Sequence, residues 1–102
     1  MSAMDELIPT SGVRVLLERV AVSEGSARYR VEIHAPDASW ASEARLEGTQ
    51  IALTAWTLVR GATNEPEPWM VESTRGFLRT LLKNHGPDSD WPPRQLRWRE
   101  RR

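Results

Sequence analysis

The most regular pattern in the chain is a strict alternation over residues 27–35. Ala27, Tyr29, Val31, Ile33 and Ala35 alternate with Arg28, Arg30, Glu32 and His34, which predicts a half-buried strand. Residues 13–22 fit two templates. Val13, Leu16, Leu17 and Val20 make a helical stripe, whereas Val13, Val15 and Leu17 make a strand that Val20 and Val22 continue after a phase slip. The β-branched content and the turn signal at Ser23-Glu24-Gly25-Ser26 favour a strand with a bulge near Glu18-Arg19, joined to the next strand as a hairpin.

After the turn residues Pro36-Asp37-Ala38-Ser39, residues 40–47 and 50–59 flank Gly48-Thr49. Glycine at the first central position of a two-residue loop suits a type II′ turn, and that turn fixes a register. Leu46 then faces Ile51 and Ala44 faces Leu53 on the core side, while Ala41 faces Trp56 and Glu43 faces Thr54 on the other. The loop 60–68 ends at Pro68, a favourable first helical residue. Met70, Thr74, Phe77, Leu78, Leu81 and Leu82 recur at helical spacing, with Arg75, Arg79 and Lys83 on the far side and Glu72 placed to pair with Arg75. Gly86-Pro87 is a helix stop. In residues 94–100, Leu96 and Trp98 alternate with Arg97 and Arg99. This predicts a short edge strand whose apolar residues face the core.

The expected order is β-β-β-β-α-β: an α+β domain with a mainly antiparallel sheet, four strands plus a short C-terminal one, and one α-helix on one face. Residues 1–12 read as an arm, 13–100 as one domain and 101–102 as a frayed end. The length of 102 residues suffices for one core without staples.

Composition removes several classes of chemistry. There is no cysteine, so neither a disulfide framework nor a thiolate metal site is available. The first residues lack the basic and apolar regions of a secretory signal, and no apolar run has the length of a membrane span, so the default compartment is the cytoplasm. The formal charge is zero but unevenly placed. Residues 91–102 carry five arginines against one glutamate, net +4, on a body of net −4. The preference for arginine over lysine matches GC-rich coding.

Candidate chemistry is sparse. No phosphate loop, nucleophile elbow or dinucleotide fingerprint is present, so no catalytic residue, metal or cofactor is assigned. His34 beside Glu32 is an acid/base arrangement, but a solvated strand face explains it as well. His85 falls at the helix end, where it caps or packs. Arginine interleaved with tryptophan in the tail (Arg94, Arg97, Trp98, Arg99), joined by Arg28 and Arg30, is the pattern of a single-stranded nucleic-acid binder. A pI near 6.7 argues against such a specialist. Trp56 and Leu58, placed on the face away from the helix, mark a partner surface for another protein or a second copy; cover by Leu7 and Ile8 of the arm is the alternative. Trp69, off the helical stripe, packs on the 60–68 loop or on the tail, or lines a small groove. The expectation is a small non-enzymatic interaction or structural domain, self-associating through the face bearing Trp56. Nucleic-acid binding and an enzyme site near His34 follow behind it.

Overall fold

The computed structural model describes residues 8–84 and 91–100. His85, the Gly86-Pro87 stop and residues 101–102 lie outside them. Six strands and one helix follow in the order β1 (Val13–Ser23), β2 (Ser26–His34), β3 (Ser39–Glu47), β4 (Gln50–Leu53), β5 (Thr57–Arg60), α1 (Pro68–Asn84) and β6 (Arg94–Arg99). The sheet runs β4-β3-β2-β1-β6, and β5 pairs with the half of β3 that β4 leaves free. Every pairing is antiparallel. The fold is thus the expected α+β sheet with one helix, with one more strand than expected ahead of the helix.

The extra strand comes from a break. Gly48 takes a left-handed φ of 61° and Thr49 does not, as a type II′ turn requires. The turn sets Leu46 against Ile51 and Ala44 against Leu53. Ser42 then donates its hydroxyl to Thr54 O at 2.8 Å, while the Glu43 amide donates to Thr54 Oγ1. With side chains bonding where the ladder would continue, pairing resumes one residue late: Ala41 faces Thr57, not Trp56. The β1 bulge lies close to its expected place, with register shifting between Arg19 and Ala21.

The core lies on the face that α1 covers. Val13, Val15 and Leu17 of β1 meet Ala27, Tyr29, Val31 and Ile33 of β2, with Trp40, Ala44 and Leu46 of β3. The helix brings Met70, Thr74, Leu78, Leu81 and Leu82, all buried. Its Thr74 hydroxyl donates to Met70 O, so no unpaired polar atom enters this apolar stripe. Phe77 is only half-buried, and no ion pair joins Glu72 to Arg75 among the described residues. No described helix is long and apolar enough to cross a membrane.

The segment ahead of β6 is held by the core. Trp91 is buried, its ring tilted against Tyr29 with centroids 6.4 Å apart. The Tyr29 hydroxyl donates to Pro92 O at 2.6 Å. The Arg19 guanidinium donates to Trp91 O, and its amide to Pro93 O. β6 therefore starts at a fixed point and pairs with β1 in unbroken register, from Glu18–Arg94 to Val13–Arg99.

That register corrects the expected facing of the last strand. Leu17, on the core face of β1, lies opposite Gln95, and Val15 lies opposite Arg97. Leu96 and Trp98 lie opposite Leu16 and Arg14, on the face away from the helix. The physical reason is Leu16. It is 3% exposed yet stands apart from the core cluster, because it points to the other face. Leu96 beside it keeps it from water. On the helix side, Arg99 lays its guanidinium over the Phe77 ring, 5.2 Å from the centroid, and so covers a ring that α1 leaves half-exposed.

Candidate functional site

The face of the sheet opposite α1 is the candidate site, and it divides into two zones. The first is a polar relay at the β2–β3 end. His34 is 1% exposed, so it is buried and not part of a solvated strand face. Its Nδ1 lies 2.8 Å from Ser39 Oγ, and its Nε2 lies 2.8 Å from Glu32 Oε1. The other Glu32 oxygen accepts from Arg30 Nε at 2.8 Å. Arg60 Nε donates to Ser39 Oγ at 3.3 Å, so the Ser39 hydroxyl is held between Arg60 and His34. The His34 Nε2–H donates to Glu32, and the two contacts together fix the ring's orientation.

Local geometry explains why Arg60 reaches this point. Its guanidinium donates to the carbonyls of Ala35, Pro36 and Ala38, closing the turn between β2 and β3. The next residue, Gly61, has a φ of 99°, and a Cβ there would sit 2.6 Å from Asp37 O. Only glycine allows the chain to approach the turn this closely. Burial alone would raise the Glu32 pKa. Hydrogen bonds from Arg30 and His34 and their electrostatic pull outweigh it and hold the carboxyl below its ordinary value. Serine, histidine and carboxylate are in contact here, but Ser39 is fully buried and already accepts from Arg60. The relay locks the turn; it presents no nucleophile to the surface. No group of three or more metal-ligating side chains forms among the described residues.

The second zone lies along β1 and β6. Leu96 is 39% and Trp98 52% exposed, side by side on this face with Leu16 next to Leu96. The Trp98 indole N–H donates to Ser11 O at 3.1 Å, which holds one edge of the half-exposed ring. Arg14 is the cross-strand neighbour of Trp98, and Arg94 pairs with Glu18 four positions further along. Between this zone and β5 lies a shallow groove of about 360 Å³, lined in part by Val20, Arg30, Ala41, Thr57 and Val59.

The residues singled out in the sequence are therefore only partly gathered. Arg28, Arg30, Arg94 and Trp98 share the open face; Arg97 and Arg99 are on the helix side. Arg28 is bound to Glu43 at 3.1 Å and Arg30 to Glu32. Trp56 and Leu58 are half-buried and pack against the core cluster, a consequence of the one-residue slip at Thr54. Trp91, grouped with the tail by composition, is core. Trp69 is half-buried and donates to Glu67 of the preceding loop. Ser39 and Arg60 escaped notice, because a turn serine and a strand-end arginine carry no periodic signal.

No family model matches this chain, and no curated protein or solved structure shows a significant similarity to it.

Proposed function

We propose that this chain is a small non-enzymatic interaction domain that engages a protein partner, in the simplest case a second copy of itself, through the open face of its sheet. One observation carries the reading: two large apolar side chains, Leu96 and Trp98, are exposed together on the face that the helix does not cover. A lone exposed apolar residue is ordinary, whereas an adjoining pair flanked by charged residues is the composition of an interface. The surface is moved from Trp56 and Leu58, which pack on the core, to the β1–β6 side of the sheet.

Sedimentation equilibrium over a range of concentrations tests it. The wild type is expected to gain mass as concentration rises, and the Leu96→Ser, Trp98→Ser double variant to remain monomeric with an unchanged fold. A monomeric wild type at high concentration overturns self-association.

A second reading is single-stranded nucleic-acid binding. It draws on the exposed Trp98 ring with Arg14 and Arg94 on the same face, a stacking platform beside cations. The carboxylates on Arg28 and Arg30 weigh against it. It requires binding that weakens steeply with salt, through counterion release, and that is lost in Trp98→Ser. Acid/base chemistry at His34 gains no support, since both ring nitrogens are engaged in a buried relay.

A further inference from the structure

The two edges of the sheet are built differently. On one side β3 is flanked by two four-residue pieces, β4 and β5, with the register slipping between them. That edge is short and interrupted, as protected edges usually are. On the other side β6 runs straight for six residues without a bulge or a proline, and no described strand pairs with its outer side. Its outward N–H and C=O groups form a ready template for another strand.

The side chains of this edge have two characters. Gln95, Arg97 and Arg99 are on the helix side; Arg94, Leu96 and Trp98 are on the open side. Charges at an edge are a common guard, but exposed leucine and tryptophan are the opposite of one. We propose that β6 is a docking edge for an extended acidic segment of a partner protein, which adds to the sheet as a further strand. Backbone hydrogen bonds to Arg94–Arg99 hold it. Its acidic residues face Arg97 and Arg99, and its alternate apolar residues face Leu96 and Trp98.

Charge selects this occupant. β6 contains three arginines and no acid. A second β6 in the same place brings arginines against arginines, whereas an acidic strand meets opposite charge at Arg97 and Arg99 on the helix side. The proposal rests on the reading of the chain as an interaction domain and narrows its partner, and the two are separable. Arg97 is on the helix side, so its reversal leaves association through the open face intact.

The test is titration of the isotope-labelled full chain with a blocked peptide of alternating glutamate and valine. Controls are the same peptide with lysine for glutamate and one with a central proline. Backbone shifts are read by NMR, and amide exchange over β6. The expected result is a set of shifts centred on residues 94–99, slowed exchange of β6 amides, and no response to either control. Arg97→Glu is expected to weaken binding about tenfold or more and to restore it for the lysine peptide. Equal binding of the lysine peptide, shifts without slowed β6 exchange, or no binding at all overturns the proposal. So does concentration-dependent protection of β6 in the protein alone, which shows a second copy on the edge. A self-associating wild type that ignores the peptide removes this inference alone. A monomer that binds it removes self-association alone.

Discussion

The two faces of this sheet solve burial in different ways. The helix face buries apolar side chains against one another: Leu17, Val31 and Leu46 meet Leu78 and Leu81. The open face buries less, and where it does so it uses pairs. Leu16 is sheltered beside Leu96, and His34 is buried with every polar contact satisfied by Glu32 and Ser39. Apolar packing tolerates no water and needs a covering element, whereas a satisfied polar network buries a group at the surface without one. The open face therefore keeps an outward surface that the helix face has given up.

The widest separation is in leucine. Leu17→Ala on the helix face is expected to cost about 2–5 kcal/mol in urea unfolding, and Leu96→Ala on the open face only about 1 kcal/mol, most of it from uncovering Leu16. Comparable losses would break the comparison by showing that β6 closes a second core. Next comes the relay. His34→Ala leaves the Glu32 and Ser39 side chains short of a partner in a buried place and is expected to cost about 2–3 kcal/mol. A negligible change would mean that water replaces the ring.

Tyr29→Phe, measured in the same way, is expected to cost about 1 kcal/mol through the lost bond to Pro92 O. It also changes the alkaline limit. Burial, opposed by the Arg19 guanidinium, pushes the Tyr29 phenol up to about 12. Its stabilising effect is complete below the unfolded value near 10 and is lost as pH rises toward about 12. Tyr29 is the single tyrosine, so phenolate absorbance reports it alone. Titration at the ordinary value would contradict the buried hydroxyl.

The acid limit is set from the open face. Glu32 is held below the ordinary carboxylate value once Arg30 and His34 overcome its burial. Its contribution is present above the unfolded value and is lost as pH falls through the lowered one. Glu32→Gln is expected to flatten that part of the stability profile, measured by thermal unfolding across acid pH. Smallest of all is the exposed Arg28–Glu43 pair, for which a double-mutant cycle is expected to return about 0.2–1 kcal/mol.

The helix face was largely legible. The alternation of Tyr29, Val31 and Ile33 and the stripe from Met70 to Leu82 each need only local periodicity, and Gly48-Thr49 fixes its own register. The open face was not, because its features arise between strands. Period two in β6 separates Leu96 and Trp98 from Arg97 and Arg99 but does not say which pair meets the helix. The register with β1 decides, and Trp91 and Tyr29 set where β6 begins. The slip that turns Trp56 onto the core comes from Ser42 and Thr54 side chains. Burial of His34 comes from Arg60, brought across by Gly61. None of these contacts leaves a mark on hydropathy.

The pairing of β6 with β1 also governs when this sheet can finish forming. The hairpins that join β1 to β4 are local and able to close within microseconds of the chain being free. Trp98 and Ser11 lie 87 positions apart, so the last strand docks only after the helix has been traversed. Until then β1 stands as a bare edge with Leu16 in water, in every nascent chain and in every refolding molecule. Closure of that long loop is the expected slow step, and it makes the interval before β6 arrives the time when such a chain most needs shelter from its neighbours.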